Sequence, residues 1–193
     1  MRVIGGTYRS RTLQAPPGAA TRPTSDRLRE TLFNVLAARM EGARFLDLYA
    51  GSGAVGIEAL SRGASETVFV ERAAPALKAL RANLARLGIT AGIRVVAESV
   101  GAYLRGTDAG ARFDVVFLDP PYDAGGEYAA ALGALGGAAG GVLAQGAQVI
   151  AEHFRKDKLE EQYGALRRRR LLQQGDGALS FYAAFDGDGE DAK

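Results

Sequence analysis

The chain has 193 residues, 47% of them apolar and 24% charged, a composition typical of one globular domain with a sizeable core. The absence of cysteine excludes disulfides, thiolate metal sites and cysteine nucleophiles, and a single histidine, His153, disfavours a catalytic triad or a multi-histidine metal site. No apolar run is long enough to span a membrane and the first residues lack the apolar core of a signal peptide, so we expect a cytoplasmic protein without a membrane span or a metal.

Arginine is concentrated in two parts of the chain, although the net charge is only +2. Residues 1–40 carry seven arginines against two acidic residues, and Arg167 to Arg170 form a second group. Segregated positive charge favours a polyanion such as a nucleic acid as the partner. A solvated charged surface is the alternative, and the role of residues 167–170 stays open.

Residues 1–40 predict an N-terminal arm followed by a helix. Residues 1–4 and 11–13 are expected to pair as a short hairpin, and Thr24 or Ser25 stands where a helix N-cap is expected. The helix would end near Met40. Its apolar stripe consists of Leu28, Leu32, Phe33, Val35 and Leu36.

The middle of the chain alternates between β-rich and helical segments, which predicts a Rossmann-like α/β fold with a mostly parallel sheet. The predicted strands are residues 44–50, 67–71, 93–96, 113–118 and 142–152. The first predicted helix follows the glycines at residues 51–56 and runs through Ala59 and Leu60 to Arg62, and the others are residues 74–87, 101–104 and 127–135. Residues 166–172 and 178–185 flank a Gly-Asp-Gly turn, so we expect the last strands to be antiparallel and residues 186–193 to form a disordered acidic tail.

A Gly-x-Gly-x-x-Gly loop at residues 51–56 follows the first predicted strand and opens a helix. Glu71 ends the next strand, about 20 residues after Gly51, where a carboxylate can grip two ribose hydroxyls. This spacing also fits an NAD site. Asp47 lies just before the loop, where NAD sites usually have an apolar strand, and it can reach the amino-acid end of S-adenosylmethionine. The loop therefore favours S-adenosylmethionine.

The sequence Asp119-Pro120-Pro121-Tyr122 follows the fourth predicted strand. The Asp119 carboxylate and the Pro120 carbonyl can both accept hydrogen bonds from one exocyclic NH2 group, and Tyr122 can stack on the ring that carries it. An amine on a heteroaromatic ring is a poor nucleophile, and two acceptors on its protons favour the pyramidal, reactive geometry. A tight strand-ending turn is the alternative interpretation. Because both motifs end strands of one predicted sheet, together they indicate an amino-methyltransferase.

Three other functions stay compatible with these motifs. The same tetrapeptide serves DNA adenine-N6 and protein-glutamine methyltransferases, although the chain is short for a DNA enzyme with a target-recognition domain. The glycine loop alone would also fit an NAD-dependent oxidoreductase. A non-catalytic RNA-binding or ribosome-assembly protein is the third alternative, but binding alone does not need an amine clamp.

The motifs resemble those of the RsmD-type bacterial 16S rRNA (guanine-N2) methyltransferases. The matching segments are residues 2–6, 22–34, 46–64, 69–71 and 117–122. The most discriminating is the Arg-Pro-Thr segment that starts at Arg22, because other methyltransferases share the loop and the tetrapeptide but not this segment. The resemblance implies a class I methyltransferase domain over residues 41–185, with a seven-stranded sheet whose last strand is inserted antiparallel.

The resemblance also implies the reaction. A methyl group would pass from S-adenosyl-L-methionine to N2 of one guanine of 16S rRNA, the nucleotide called 966 in the usual rRNA numbering. The substrate would be the assembled 30S subunit, and the protein would act as a monomer. Arg2, Arg9, Arg11 and Arg22 are the candidate RNA contacts, and residues 1–40 would provide an RNA and cofactor flap.

The candidate site residues follow from these motifs. Asp119, Pro120, Pro121 and Tyr122 are the predicted catalytic residues. The predicted cofactor contacts are Thr24, Asp47, Tyr49, Ala50, Gly51, Ser52, Gly53, Glu71, Arg72, Ser99, Val100 and Asp119. Family members often carry Asp or Asn after the third strand to meet the adenine amine, whereas this chain has Ser99. Either Glu98 or the Val100 backbone would then compensate for the shorter side chain.

Overall fold

The computed structural model describes residues 1–16, 26–106, 110–121 and 126–185, and the fold is that of these ranges. Their helices are α1 (Asp26–Met40), α2 (Ala54–Ser61), α3 (Ala74–Leu87), α4 (Val100–Gly106) and α5 (Glu127–Leu135). Their strands are β1 (Arg44–Leu48), β2 (Glu66–Val70), β3 (Ile93–Val96), β4 (Phe113–Leu118), β5 (Leu143–Phe154), β6 (Gln162–Tyr163), β7 (Leu166–Gln174) and β8 (Gly177–Ala184).

The strands form one sheet in the order β3-β2-β1-β4-β5-β8-β7-β6. β1 to β5 run parallel, and β8 lies antiparallel between β5 and β7. The predicted α/β architecture with an inserted antiparallel strand is therefore confirmed. The predicted count of seven strands is too low for the described residues, because Gln162–Tyr163 adds an eighth at the edge. Two residues are too few to give a periodic pattern in the sequence.

Side chains from the two faces of the sheet enter different cores, since successive strand residues point to opposite sides. Phe45 and Phe117 pack with α1 and α2, whereas the next residues, Leu46 and Leu118, pack with α4 and α5. α3 completes the first face through a cluster that contains Phe69. Both faces are thus covered, as a parallel sheet requires.

The N-terminal arm folds back on α2, and its predicted hairpin is confirmed by the antiparallel bridge between Arg2 and Thr12. The buried Glu58 carboxylate holds the arm by accepting hydrogen bonds from the backbone nitrogens of Ile4 at 2.7 Å and Gly5 at 2.8 Å. Arg62 donates to the same carboxylate at 2.7 Å, and the buried Arg29 lies 3.9 Å from it. One buried acid therefore joins the arm, α1 and α2.

Neither a membrane helix nor a metal centre is found in the part of the chain that the structure describes. None of its helices combines the length and apolar character needed to cross a bilayer. No group of three or more His, Asp or Glu side chains there could hold a metal ion.

Candidate active site

The loop between β1 and α2 begins earlier than the sequence predicts. β1 ends at Leu48 because Tyr49 takes a left-handed backbone conformation with φ 62°. Gly53, with φ 81°, then caps the start of α2, and a Cβ atom there would lie 2.3 Å from Leu80. Gly53 is thus required both for its backbone angle and for the close approach of α3. The loop lies at the carboxyl end of β1.

The Asp47 carboxylate is buried beneath this loop and accepts a hydrogen bond from the Gly56 backbone nitrogen at 2.8 Å. Burial, and to a smaller extent the nearby Glu71 charge, raise the pKa of Asp47 to about 7 against the opposing effect of the Gly56 bond. A cationic ligand beside Asp47 would favour its ionised form. The anionic pyrophosphate of a dinucleotide would instead face two carboxylates at this loop, so the charges fit S-adenosylmethionine better.

We expect the pKa of Asp47 to make the cofactor-free protein less stable as the pH rises. Its pKa is about 7 in the folded state and 3.8 ordinarily, so the folded state binds more protons between these values. The free energy of unfolding should therefore fall from about pH 4 to about pH 7. Asp47→Asn keeps an acceptor for Gly56 but cannot titrate, so urea unfolding should show a flatter profile for it. Parallel profiles for the two proteins would contradict this assignment.

Glu71 closes the other side of the loop. One carboxylate oxygen accepts from the Gly51 backbone nitrogen at 2.9 Å, and the other accepts from the backbone nitrogens of Arg72 and Ala73 at 2.8 and 2.7 Å. The half-buried carboxylate thus fixes the distance between the ends of β1 and β2, in addition to any ribose contact. The Arg72 side chain is exposed.

Asn83 is a site residue that the sequence did not reveal. Its amide nitrogen donates to the backbone oxygens of Ser52 and Gln14, each at 3.0 Å, and its amide oxygen accepts from the Gln14 nitrogen at 2.8 Å. The buried Asn83 therefore joins α3, the glycine loop and the end of the N-terminal arm. An asparagine within a periodic helical segment gives no signal of such a role in the sequence.

Asp119 follows β4 directly and is half-buried, with Pro120 buried and Pro121 exposed. β4 pairs with β1, so Asp119 lies at the same edge of the sheet as the glycine loop. Withdrawal from water raises the pKa of Asp119 well above its usual range, and the charges of Glu152 and Asp47 raise it further. Tyr122, the fourth residue of the tetrapeptide, lies outside the described residues.

Glu152 is a second candidate site residue that sequence reasoning missed. Leu118 pairs with Ala151, so Glu152 of β5 lies beside Asp119. Its side chain is buried and on the face of α1, because Ile150, two residues earlier, packs in the α1 core. Three carboxylates from neighbouring strands, those of Asp47, Asp119 and Glu152, therefore share one edge and one face.

Tyr49 and Val100 line a cavity of about 370 Å³ between α4 and α5. The Tyr49 hydroxyl donates to Glu127, which also lines this cavity, at 2.5 Å, and burial together with this bond raises the pKa of Tyr49. Ser99 accepts from the Ala102 nitrogen at 3.2 Å and so caps α4, while Glu98 is exposed. The capping role explains a serine at this position, and the adenine contact stays a prediction.

The predicted RNA contacts are exposed where the structure describes them. Arg2, Arg9 and Arg11 project from the arm into solvent, and Arg2 lies 4.0 Å from Asp26 with 70% of its side chain exposed. Arg22 and Thr24 lie outside the described residues. His153 is buried with its ring nitrogen 2.9 Å from the Ser180 hydroxyl, and burial lowers its pKa.

Comparison with known proteins identifies a matching family and several similar proteins. A family described as "Conserved hypothetical protein 95" matches residues 1–183. "Ribosomal RNA small subunit methyltransferase D" of Escherichia coli K12 is 42% identical over 125 residues, which are 65% of this chain and 62% of that protein. The protein of the same name in Haemophilus influenzae is 39% identical over 123 residues, which are 63% of this chain and 64% of the relative. The matches thus span less than two thirds of these two relatives.

Solved structures match nearly the whole chain. The Escherichia coli protein "Putative methyltransferase yhhF" superposes with a TM-score of 0.82 at 34% identity, covering 95% of this chain and 97% of that one. "Hypothetical protein TTHA0928" of Thermus thermophilus gives 0.79 at 37% identity, covering 94% and 98%. The fold is that of class I methyltransferases, and the methyltransferase names of these relatives agree with the predicted cofactor, S-adenosyl-L-methionine. The chain belongs to the "Conserved hypothetical protein 95" family, which confirms the predicted relationship to the RsmD-type 16S rRNA methyltransferases.

Proposed function

We propose that this protein methylates the exocyclic N2 of one guanine of 16S rRNA in the assembled 30S subunit, at the position that the family resemblance gives as 966. The observation that carries the proposal is the adjacency of β1 and β4. Parallel neighbours end at the same edge, so the glycine loop after β1 and Asp119-Pro120 after β4 open into one crevice. The relatives are named as rRNA methyltransferases, which supports an rRNA substrate.

The glycine loop and its carboxylates would hold the cofactor. Asp47 and Glu71 provide negative charge, and the backbone of Gly51 to Gly53 provides the close approach. When bound, S-adenosylmethionine supplies a methyl group activated by its sulfonium. Binding both reactants in one crevice gives proximity and orientation, which accounts for most of the rate gain in our proposal.

Asp119 and the Pro120 carbonyl would hold the guanine amine. Both accept hydrogen bonds from the NH2 group and so direct its lone pair away from the ring plane. Tyr122 would stack on the flipped-out base, a contact worth roughly 1–3 kcal/mol. After transfer, N2 loses a proton to Asp119 or to water. The raised pKa of Asp119 makes its carboxylate a better proton acceptor than an ordinary aspartate.

The arm would bring the RNA to this crevice. Arg2, Arg9 and Arg11 are exposed on an element that Gln14 and Asn83 tie to the glycine loop. Arginine side chains at such a position suit phosphate groups near the target nucleotide. In our proposal the protein acts as a monomer in the cytoplasm.

Labelled methyl transfer tests this function. Ribosomal 30S subunits from cells that lack the enzyme are incubated with the protein and S-adenosylmethionine carrying a tritiated methyl group. The proposal predicts N2-methylguanosine as the labelled nucleoside after digestion of 16S rRNA. Label in N6-methyladenosine or in a protein glutamine would instead favour one of the alternative amino-methyltransferases.

A further inference from the structure

The second arginine group, Arg167 to Arg170, lies on β7 and contains a β-bulge. Arg167 pairs with Ala183, Arg168 with Tyr182 and Arg170 with Phe181, so Arg169 is the extra residue. Phe181 packs in the α1 core, and residues paired across an antiparallel ladder share a face. The bulge therefore places both Arg167 and Arg170 on the α1 face of the sheet.

The guanidinium groups cluster around an aromatic ring at the end of β8. The Cζ atoms of Arg167 and Arg169 lie 5.5 and 5.6 Å from the centroid of Phe185, which is half-buried. Arg170 is exposed beside them. The ring orders two cations at one place on the surface.

These three arginines lack an acidic partner in the ranges that the structure describes. Arg168 of the same strand does form an ion pair. Its side chain is 18% exposed and lies 3.8 Å from the Glu161 carboxylate. Three neighbouring positive charges repel one another, and an anion with several charges relieves that repulsion. The planar fork of arginine matches the oxygen atoms of a phosphate group.

This surface lies far from the crevice. The ladder joins Arg167 through Ala183 and Gln148 to Val115, four residues before Asp119 on β4. That is about 13 Å along the strands and about 14 Å across three strand spacings, or roughly 20 Å in all. A contact there must fall on RNA remote from the target nucleotide.

We propose that Arg167, Arg169, Arg170 and Phe185, the β7 surface, bind the phosphate backbone of a second segment of the folded RNA substrate. The proposal rests on the proposed rRNA methyltransferase function. It implies that the enzyme recognises the shape of a structured RNA, since two well-separated segments must be presented together. The competing occupant is the chain's own acidic segment, which follows Phe185 with Asp186, Asp188, Glu190 and Asp191.

The test compares two charge-matched variants. In one, Arg167, Arg169 and Arg170 are replaced by glutamine; in the control, Lys78, Arg81 and Arg86 of α3, which are also exposed, are replaced in the same way. Binding to 30S subunits is measured over a range of salt concentrations, together with methyl transfer at saturating subunits and cofactor affinity. A short RNA hairpin that contains the target guanine serves as the second probe.

The proposal predicts a roughly tenfold or greater loss of 30S affinity for the β7 variant. The slope of the logarithm of the binding constant against the logarithm of the salt concentration should also become shallower by about 2 to 3, because each lost phosphate contact removes about 0.7–0.9. Cofactor affinity, the rate at saturating subunits and hairpin binding should match the wild type. The control should keep most of the wild-type affinity and slope.

Three results would overturn it: wild-type affinity and slope in the β7 variant, an equal loss in the α3 control, or tighter RNA binding by the β7 variant. The first of these results would fit occupation of the surface by the acidic segment. Failure of the methylation function is distinguishable, because the wild-type protein would then leave 30S subunits unlabelled whatever the binding slopes show.

Discussion

Replacing Asp119 by alanine is expected to lower methyl transfer to 16S rRNA by about 10²- to 10³-fold, the usual effect of removing one preorganised polar group from a reacting centre. Asp119 lies at the end of β4, beside the loop after β1, and accepts the amine protons in our mechanism. The Kd for S-adenosylmethionine should be largely unchanged, since Asp47 and Glu71 carry the loop contacts. Single-turnover transfer and equilibrium cofactor binding measure the two effects separately.

Asp114 provides the matched control for this experiment. It lies on the same strand at the opposite edge of the sheet, where its carboxylate accepts a hydrogen bond from the Arg44 nitrogen at 2.8 Å. Asp114→Asn keeps an acceptor there and should retain the wild-type rate. A wild-type rate of methyl transfer in Asp119→Ala would show that Asp119 has no role in the reaction. Equal losses of rate in both variants would show that the substitutions act by disrupting β4.

Replacing Glu58 by glutamine should lower the free energy of unfolding by about 3 kcal/mol or more, which is the range for breaking a buried ion pair. The Glu58 side chain is fully buried and accepts from Ile4, Gly5 and Arg62. Its loss leaves the buried Arg29 with the charges of Asp26 and Glu152. Urea unfolding at neutral pH measures the change.

Glu66→Gln is the control for the buried cluster. Glu66 pairs with Arg44 at 2.9 Å, but both side chains are more than a third exposed, so the change should cost less than about 1 kcal/mol. If Glu58→Gln costs no more than Glu66→Gln, the buried carboxylate does not hold the arm as we describe. A large loss for Glu58→Gln alone would show that the buried carboxylate of α2 anchors the N-terminal arm.

The elements that the sequence predicts well are those with strong local signals. Gly88 ends α3 in a left-handed conformation, as its position after a periodic helix predicts, and Gly175 turns the β7–β8 hairpin. The sequence places the start of the glycine loop too late, because nothing local indicates that Tyr49 leaves β1 with a positive φ. The bond from Tyr49 to Glu127 joins positions 78 residues apart.

The residues that sequence reasoning missed act through contacts between distant elements. Glu152 belongs to the site only because β5 pairs with β4, and Asn83 only because α3 packs on the glycine loop. Neither residue type is unusual at its place in a strand or helix. Such roles depend on sheet order and helix packing, which periodicity and spacing do not determine.

A crystal structure of the protein with S-adenosylmethionine would test the central claim most directly, by the distance from the transferable methyl carbon to the Asp119 carboxylate. Reacting atoms in a productive complex approach to about 3–3.5 Å, so an amine held between them places the methyl carbon within roughly 6 Å of that carboxylate. We expect the cofactor to lie over Gly51 to Gly53 at this distance. A methyl carbon too far away for one amine to bridge the gap, or a cofactor bound at another edge of the sheet, would contradict a shared crevice.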